Sequence, residues 1–159
     1  MTPIGALEAS ALGQAMRASR WLYPGVEIAH VVGIALLFGS IAILDLRLLG
    51  LSRSVSVRRL ARRVLPWTAA SLLLIVPSGL LLFIAHAGDL IASPLFAAKI
   101  CLILAAGTNA AVLHAGAFRS AASWDAKGAP PLAARAAGAL SLALWIAVIS
   151  CGLRLAYYY

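Results

Sequence analysis

Four apolar stretches, each long enough to cross a bilayer, leave this chain few folds to choose from. They run from about 22 to 49, 64 to 87, 94 to 118 and 136 to 157. A helix needs about 20 apolar residues to cross roughly 30 Å of hydrocarbon. In lipid every backbone polar group must find its partner within the fold, which restricts spanning structures to helices and closed barrels. Continuous apolar runs, without the alternation of barrel strands, select helices. Charge is correspondingly scarce. Charged residues make up 11% of the 159 positions against 63% hydrophobic ones, and mean hydropathy is +0.97, whereas soluble domains carry about 25% charge. The expected fold class is all-α: an integral membrane four-helix bundle in one domain, residues 21–159, preceded by a short segment, residues 1–20.

That first segment places Leu7, Ala11, Leu12, Ala15 and Met16 at helical spacing, with Glu8, Gln14 and Arg17 between them. It reads as a short amphipathic interfacial helix on the membrane surface. It lacks the basic n-region and small-residue cleavage site of a secretory signal peptide. Within the spans, Pro24 suits a first helical turn, and Pro77-Ser78-Gly79 in the second predicts a kink.

Net charge is +8, but the arginines fall between apolar stretches rather than on a polar face, so nucleic acid is not the expected partner. Their distribution sets orientation. Arg53, Arg58, Arg59, Arg62 and Arg63 lie in the first connection and Arg119, Lys127 and Arg135 in the third, while 88–93 carries none. By the positive-inside rule the first and third connections are cytoplasmic and both termini periplasmic. Trp21, Tyr23 and Tyr157 to Tyr159 then form the outer aromatic belt, with Trp67 near the inner one. The Ala, Leu and Arg bias points to a bacterial inner membrane. Small residues at spacing four (Ala97, Cys101, Ala105 with Asn109; Gly107, Ala111, Ala115; Ala139, Ala143, Ala147, Cys151) predict close packing of the third and fourth spans. The same stripes suit a homo-oligomer or a larger membrane complex.

Ionisable groups inside membrane helices are costly and point to function. Glu27 and His30 form a Glu-x-x-His pair on the first span. A di-iron bundle needs two such pairs, so only a mononuclear site fits. Haem b is the next candidate. His30 lies roughly 12 Å below the outer end of its helix and His114 roughly 20 Å deeper, while His86 sits at the outer end of the second span. No two are level, which disfavours a two-ligand haem within one subunit and allows a five-coordinate one. Cys101 and Cys151 lie about level with His30, and thiolate with imidazole suits copper or zinc; a buried cysteine also serves as a small hydrophobe. Asn109 fits an interhelical hydrogen bond. His114, not needed for anchoring, suits a second site or a proton or quinone contact. Asp45, Arg47 and Lys99 read as side chains reaching the headgroups, and Asp89 as a turn residue in water. The chain has no phosphate-binding loop, zinc-protease motif or serine nucleophile elbow, nor the matched broken helices of many transporters.

Trp21-Leu22-Tyr23-Pro24 with Glu27 and His30, Asp45-Leu46-Arg47-Leu48-Leu49-Gly50, Leu65-Pro66-Trp67, Gly79 to Phe83, Asn109 with His114, Trp124-Asp125 and Ser141 to Gly152 together resemble a small bacterial four-helix inner-membrane family known as a domain of unknown function. The likeness covers nearly the whole chain. It implies that Glu27, His30, Asn109 and His114 matter, and it implies no activity. A looser, architectural likeness is to the copper-resistance D-type membrane proteins. Three functions follow as expectations: metal handling or electron transfer through a bound metal or haem, an assembly subunit, or a small permeation protein.

Overall fold

A computed structural model describes residues 3–125 and 130–157. Lys127 and the rest of 126–129, Tyr158, Tyr159 and the first two residues of the N-terminal segment lie outside them. Among the described residues the regular structure is all helical: α1 (Pro3–Glu8), α2 (Ala11–Ala18), α3 (Leu22–Leu49), α4 (Val57–Ala85), α5 (Ala87–Ala92), α6 (Pro94–Ala115), α7 (Ala121–Asp125) and α8 (Leu132–Ala156). Four of them, α3, α4, α6 and α8, are long and apolar enough to cross a membrane. Only 17% of the apolar window of α3 and 6% of that of α6 is buried inside the chain. Leu73 is 80% exposed and Leu104 65%. Surfaces this apolar require lipid around them, and the chain is a multi-pass membrane protein.

Local chemistry sets the helix ends. Gly50, at φ +108°, closes α3 in the left-handed conformation, and the Leu51 N–H returns to the Leu46 carbonyl at 3.0 Å, a helix stop that glycine adopts without a Cβ penalty. Pro94 opens α6. Helix α4 starts seven residues before the apolar run at 64. Arginine is a good helix former, and Val57, Leu60, Ala61 and Val64 share one face while the arginines point outward. Arg58, Arg59, Arg62 and Arg63 therefore belong to the first two turns of α4, and of the five expected in the connection only Arg53 lies there. Helix α4 also runs unbroken through Pro66 and Pro77. Helix α6 ends at Ala115, before Gly116, and α8 begins at Leu132, directly after Pro131.

Across the bundle the order is α4, α3, α8, α6. Helix α3 packs on both α4 and α8, and α6 packs on α8. The backbones approach closely where side chains vanish. A Cβ at Gly33 would come within 2.7 Å of Ile75 on α4, and one at Gly138 within 3.1 Å of the Asp45 carbonyl oxygen on α3. Between α4 and α6 no Cα pair comes within 8 Å. Phe83 and Phe96 bridge that seam, their rings stacked with centroids 5.7 Å apart.

At the arginine-rich end the core gathers Leu44, Leu48, Val57, Ala61, Leu113 and Ala134, with Phe118 and Trp124 packed against it. At the opposite end the N-terminal segment forms two helices rather than one, docked on α4 and α5. Met16 is fully buried. Arg17 donates from Nη1 to the Ala85 carbonyl at 2.9 Å, and Glu8 Oε1 accepts from the Gly88 N–H at 2.7 Å.

Candidate functional site

In the half of the bundle away from the arginines, His30 on α3 meets Ser78 on α4, with Nδ1 and Oγ 2.9 Å apart. Ser78 has one hydroxyl hydrogen, and it points to the Leu74 and Ile75 carbonyls of its own helix. With the hydrogen so directed its oxygen is the acceptor, an assignment that puts the His30 proton on Nδ1. In that tautomer Nε2 carries the lone pair. The ring lies over Gly79, where a Cβ would come within 3.0 Å of Cε1. Ser78-Gly79 thus positions the imidazole: the serine fixes the tautomer and the glycine makes room.

Lys99 of α6 lies in the same half. Its Nζ stands 3.3 Å from where a Gly152 Cβ on α8 would be, so the side chain lies against the neighbouring helix. It lies near both His30 and Cys151. Glu27, one turn from His30, is half-buried, makes no hydrogen bond among the described residues, and lies within electrostatic reach of Tyr23. An imidazole lone pair, an ammonium group and a carboxylate thus lie in one half of the bundle.

The other residues singled out from sequence are dispersed. His86 sits between α4 and α5, its ring edge-on to Tyr23 at 5.7 Å. Cys101 is exposed on α6 and Cys151 half-buried on α8. Asn109 donates from Nδ2 to the Ala137 carbonyl at 2.9 Å, tying α6 to α8. His114 is exposed, donates from Nδ1 to the Ala110 carbonyl at 2.8 Å, and stacks on Phe118. Among the described residues no three His, Cys, Asp or Glu side chains gather to hold a metal ion.

Arg47 and Asp125 form a second polar centre at the arginine-rich end. Arg47 is buried, donating to the Val55 and Arg53 carbonyls. Asp125 accepts from Ser56 Oγ at 2.6 Å and from the Val57 and Arg58 N–H groups at 2.8 and 3.3 Å, so it caps α4 from 68 residues away in sequence. Arg47 Nη2 stands 3.7 Å from it. Burial works against the Asp125 charge, but these hydrogen bonds and Arg47 together hold its carboxyl below the ordinary range. Sequence reading missed this clasp as well as the roles of Lys99 and Ser78. The available signal was that Asp125 is one of only five acids in the chain and the sole one in the third connection. No family model, curated protein or solved structure matches the chain.

Proposed function

We propose that this chain is a multi-pass protein of a bacterial inner membrane, with both termini periplasmic, that binds a cofactor through His30 Nε2 and serves electron transfer or metal handling. On this reading it is a relative of the four-helix family its sequence resembles. The observation that carries the reading is the Nδ1 hydrogen bond to Ser78. Histidines that ligate metals almost always commit the other ring nitrogen in this way, which fixes ring orientation and tautomer. Donor count favours haem b over copper. Copper(I) asks for soft donors in a group, while Cys101 faces away. One imidazole is enough to hold a haem iron, so His30 would hold it and Lys99 would pair with one of its carboxylates. The same ammonium repels a bare cation. The test is an absorption spectrum with metal analysis of the protein purified in mild detergent from haem-supplied cells, beside His30→Ala and His86→Ala. The expected result is a Soret band kept in the second variant and lost in the first. A colourless, metal-free, folded protein overturns the reading.

A second reading, an assembly subunit, draws support from α6. Gly107, Ala111 and Ala115 are exposed, and a Cβ on Gly107 would meet nothing. Mass measurement in detergent tests its self-association: a dimer or larger species that Gly107→Leu dissociates supports it, and a monomer excludes it.

A further inference from the structure

Two adjoining hollows open at the arginine-rich end, between the first turns of α4 and the α6–α7 region. One, of about 480 Å³, is lined by Arg58, Arg59 and Arg62 with Asp125; the other, of about 350 Å³, shares Arg58 and Arg62 and adds Arg119, Leu65 and Phe118. Among the described residues the guanidinium groups of Arg58, Arg59, Arg62 and Arg119 make no ion pair, since the one salt bridge there joins Arg47 to Asp125. Asp125 is the one acid in the lining, and its oxygens already accept from Ser56, Val57 and Arg58. Four like charges therefore stand close together with no counter-charge of their own, an arrangement that costs more as the surroundings become less polar.

The shape of the hollows decides what neutralises them. The second hollow has a cationic rim and an apolar floor of Leu65 and Phe118, which leads from the arginines toward the spans. Trp67, 64% exposed on the same helix, marks the depth at which headgroups give way to hydrocarbon. A free anion gains nothing from that floor, and a nucleic acid cannot use it, whereas a lipid uses both parts. Each hollow has an arginine of its own, Arg59 or Arg119, and they share two more. We propose that this end is a binding site for an acidic phospholipid bearing two phosphates, one phosphate in each hollow and an acyl chain over Leu65 and Phe118. Basic pockets at the ends of membrane helices recognise such headgroups elsewhere.

The test is native mass spectrometry of the full chain in mild detergent, titrated with cardiolipin, phosphatidylglycerol or phosphatidylcholine. Cardiolipin should bind more tightly than phosphatidylglycerol, and phosphatidylcholine least. Arg58→Gln with Arg62→Gln should weaken cardiolipin about tenfold or more. Arg53→Gln with Arg63→Gln removes the same charge from the same end but outside both hollows, and should change binding little. Ala122→Trp fills both hollows while keeping every arginine, and should also abolish tight binding. Equal losses in the two arginine pairs would reduce the effect to bulk charge and overturn the site. So would displacement of cardiolipin by millimolar inorganic phosphate, or full binding in Ala122→Trp.

Discussion

The two ends of the bundle hold similar ingredients and use them differently. At the arginine-rich end Arg47 and Asp125 face each other across three helices, their side chains 2% and 8% exposed. Both Asp125 oxygens and Arg47 Nε and Nη2 are engaged, with Ser56, with the start of α4, or with the carbonyls of Arg53 and Val55. Arg47 Nη1 is buried without a partner among the described residues, as is Oδ2 of Asp45, which is 4% exposed and does not reach the headgroups. At the other end His30, Lys99 and Glu27 lie within the bundle with only His30 Nδ1 committed. A buried charge whose hydrogen bonds are mostly met is committed to folding. One left with a lone pair or an unneutralised charge keeps bonding capacity for something else, at a cost to stability. The first end commits most of its polar groups to helix register; the second leaves most of its donors and acceptors unused.

This contrast breaks most visibly at Asp125. Asp125→Ala removes three hydrogen bonds at the start of α4 and leaves Arg47 buried without its counter-charge, a change that costs about 3 kcal/mol or more. Asp125→Asn keeps an acceptor and should cost about half as much. Denaturant titration of the helical signal in detergent checks both. The acid limb gives an independent reading. The folded Asp125 carboxyl lies below its unfolded value, so the unfolded state binds the extra proton. Its contribution is full above about pH 5 and is lost as pH falls below about 4. Asp125→Asn should flatten that limb, and an unchanged acid profile would show that the clasp does not form.

Lys99 should respond in the opposite direction. Lys99→Met keeps the length and apolar stem of the side chain and removes a charge that has no ion-pair partner among the described residues. It should leave the protein unaffected or stabilise it by about 1 kcal/mol, while weakening binding of an anionic cofactor group. A loss of stability comparable to that of Asp125→Ala would mean that the ammonium is structural and that the two ends are alike.

The spans could be read in the sequence because hydropathy is local, and the start at Leu22 and the stop before Gly50 follow from residues beside them. Helix α4 was read short because hydropathy windows end where arginines begin, whereas helix propensity does not. The sites were less legible. Glu27 and His30 stand out as ionisable groups three apart on one span. Whether Lys99 rises to the headgroups or lies across to Gly152 depends on which helix packs beside it. Sequence spacing does not carry that information. The Asp125 clasp joins residues 68 apart and needs α7 docked over α4. His114 stands out in the sequence as polar at depth; its Nδ1 bonds its own helix and its ring stacks on Phe118, an i, i+4 pair visible in the sequence.

Ser78 offers the smallest stability effect and the sharpest discrimination. Ser78→Ala removes one acceptor from His30, and the loss in folding stability should be only about 0.5 kcal/mol. Cofactor affinity should fall about tenfold, because partners that orient a ligating histidine are worth that much or more. The imidazole would then be free to place its proton on either nitrogen, and the nitrogen meant for the ligand would be unprotonated only part of the time. Ser78→Thr restores the hydroxyl with one added methyl group and should recover most of the affinity. Nitrogen-15 NMR of the labelled His30 ring in detergent reports the tautomer directly: the Nδ1-protonated form should dominate in the parent protein and lose that dominance in Ser78→Ala. A parent ring already protonated on Nε2 would remove the lone pair on which the proposed site depends, and would leave the two ends differing in packing alone.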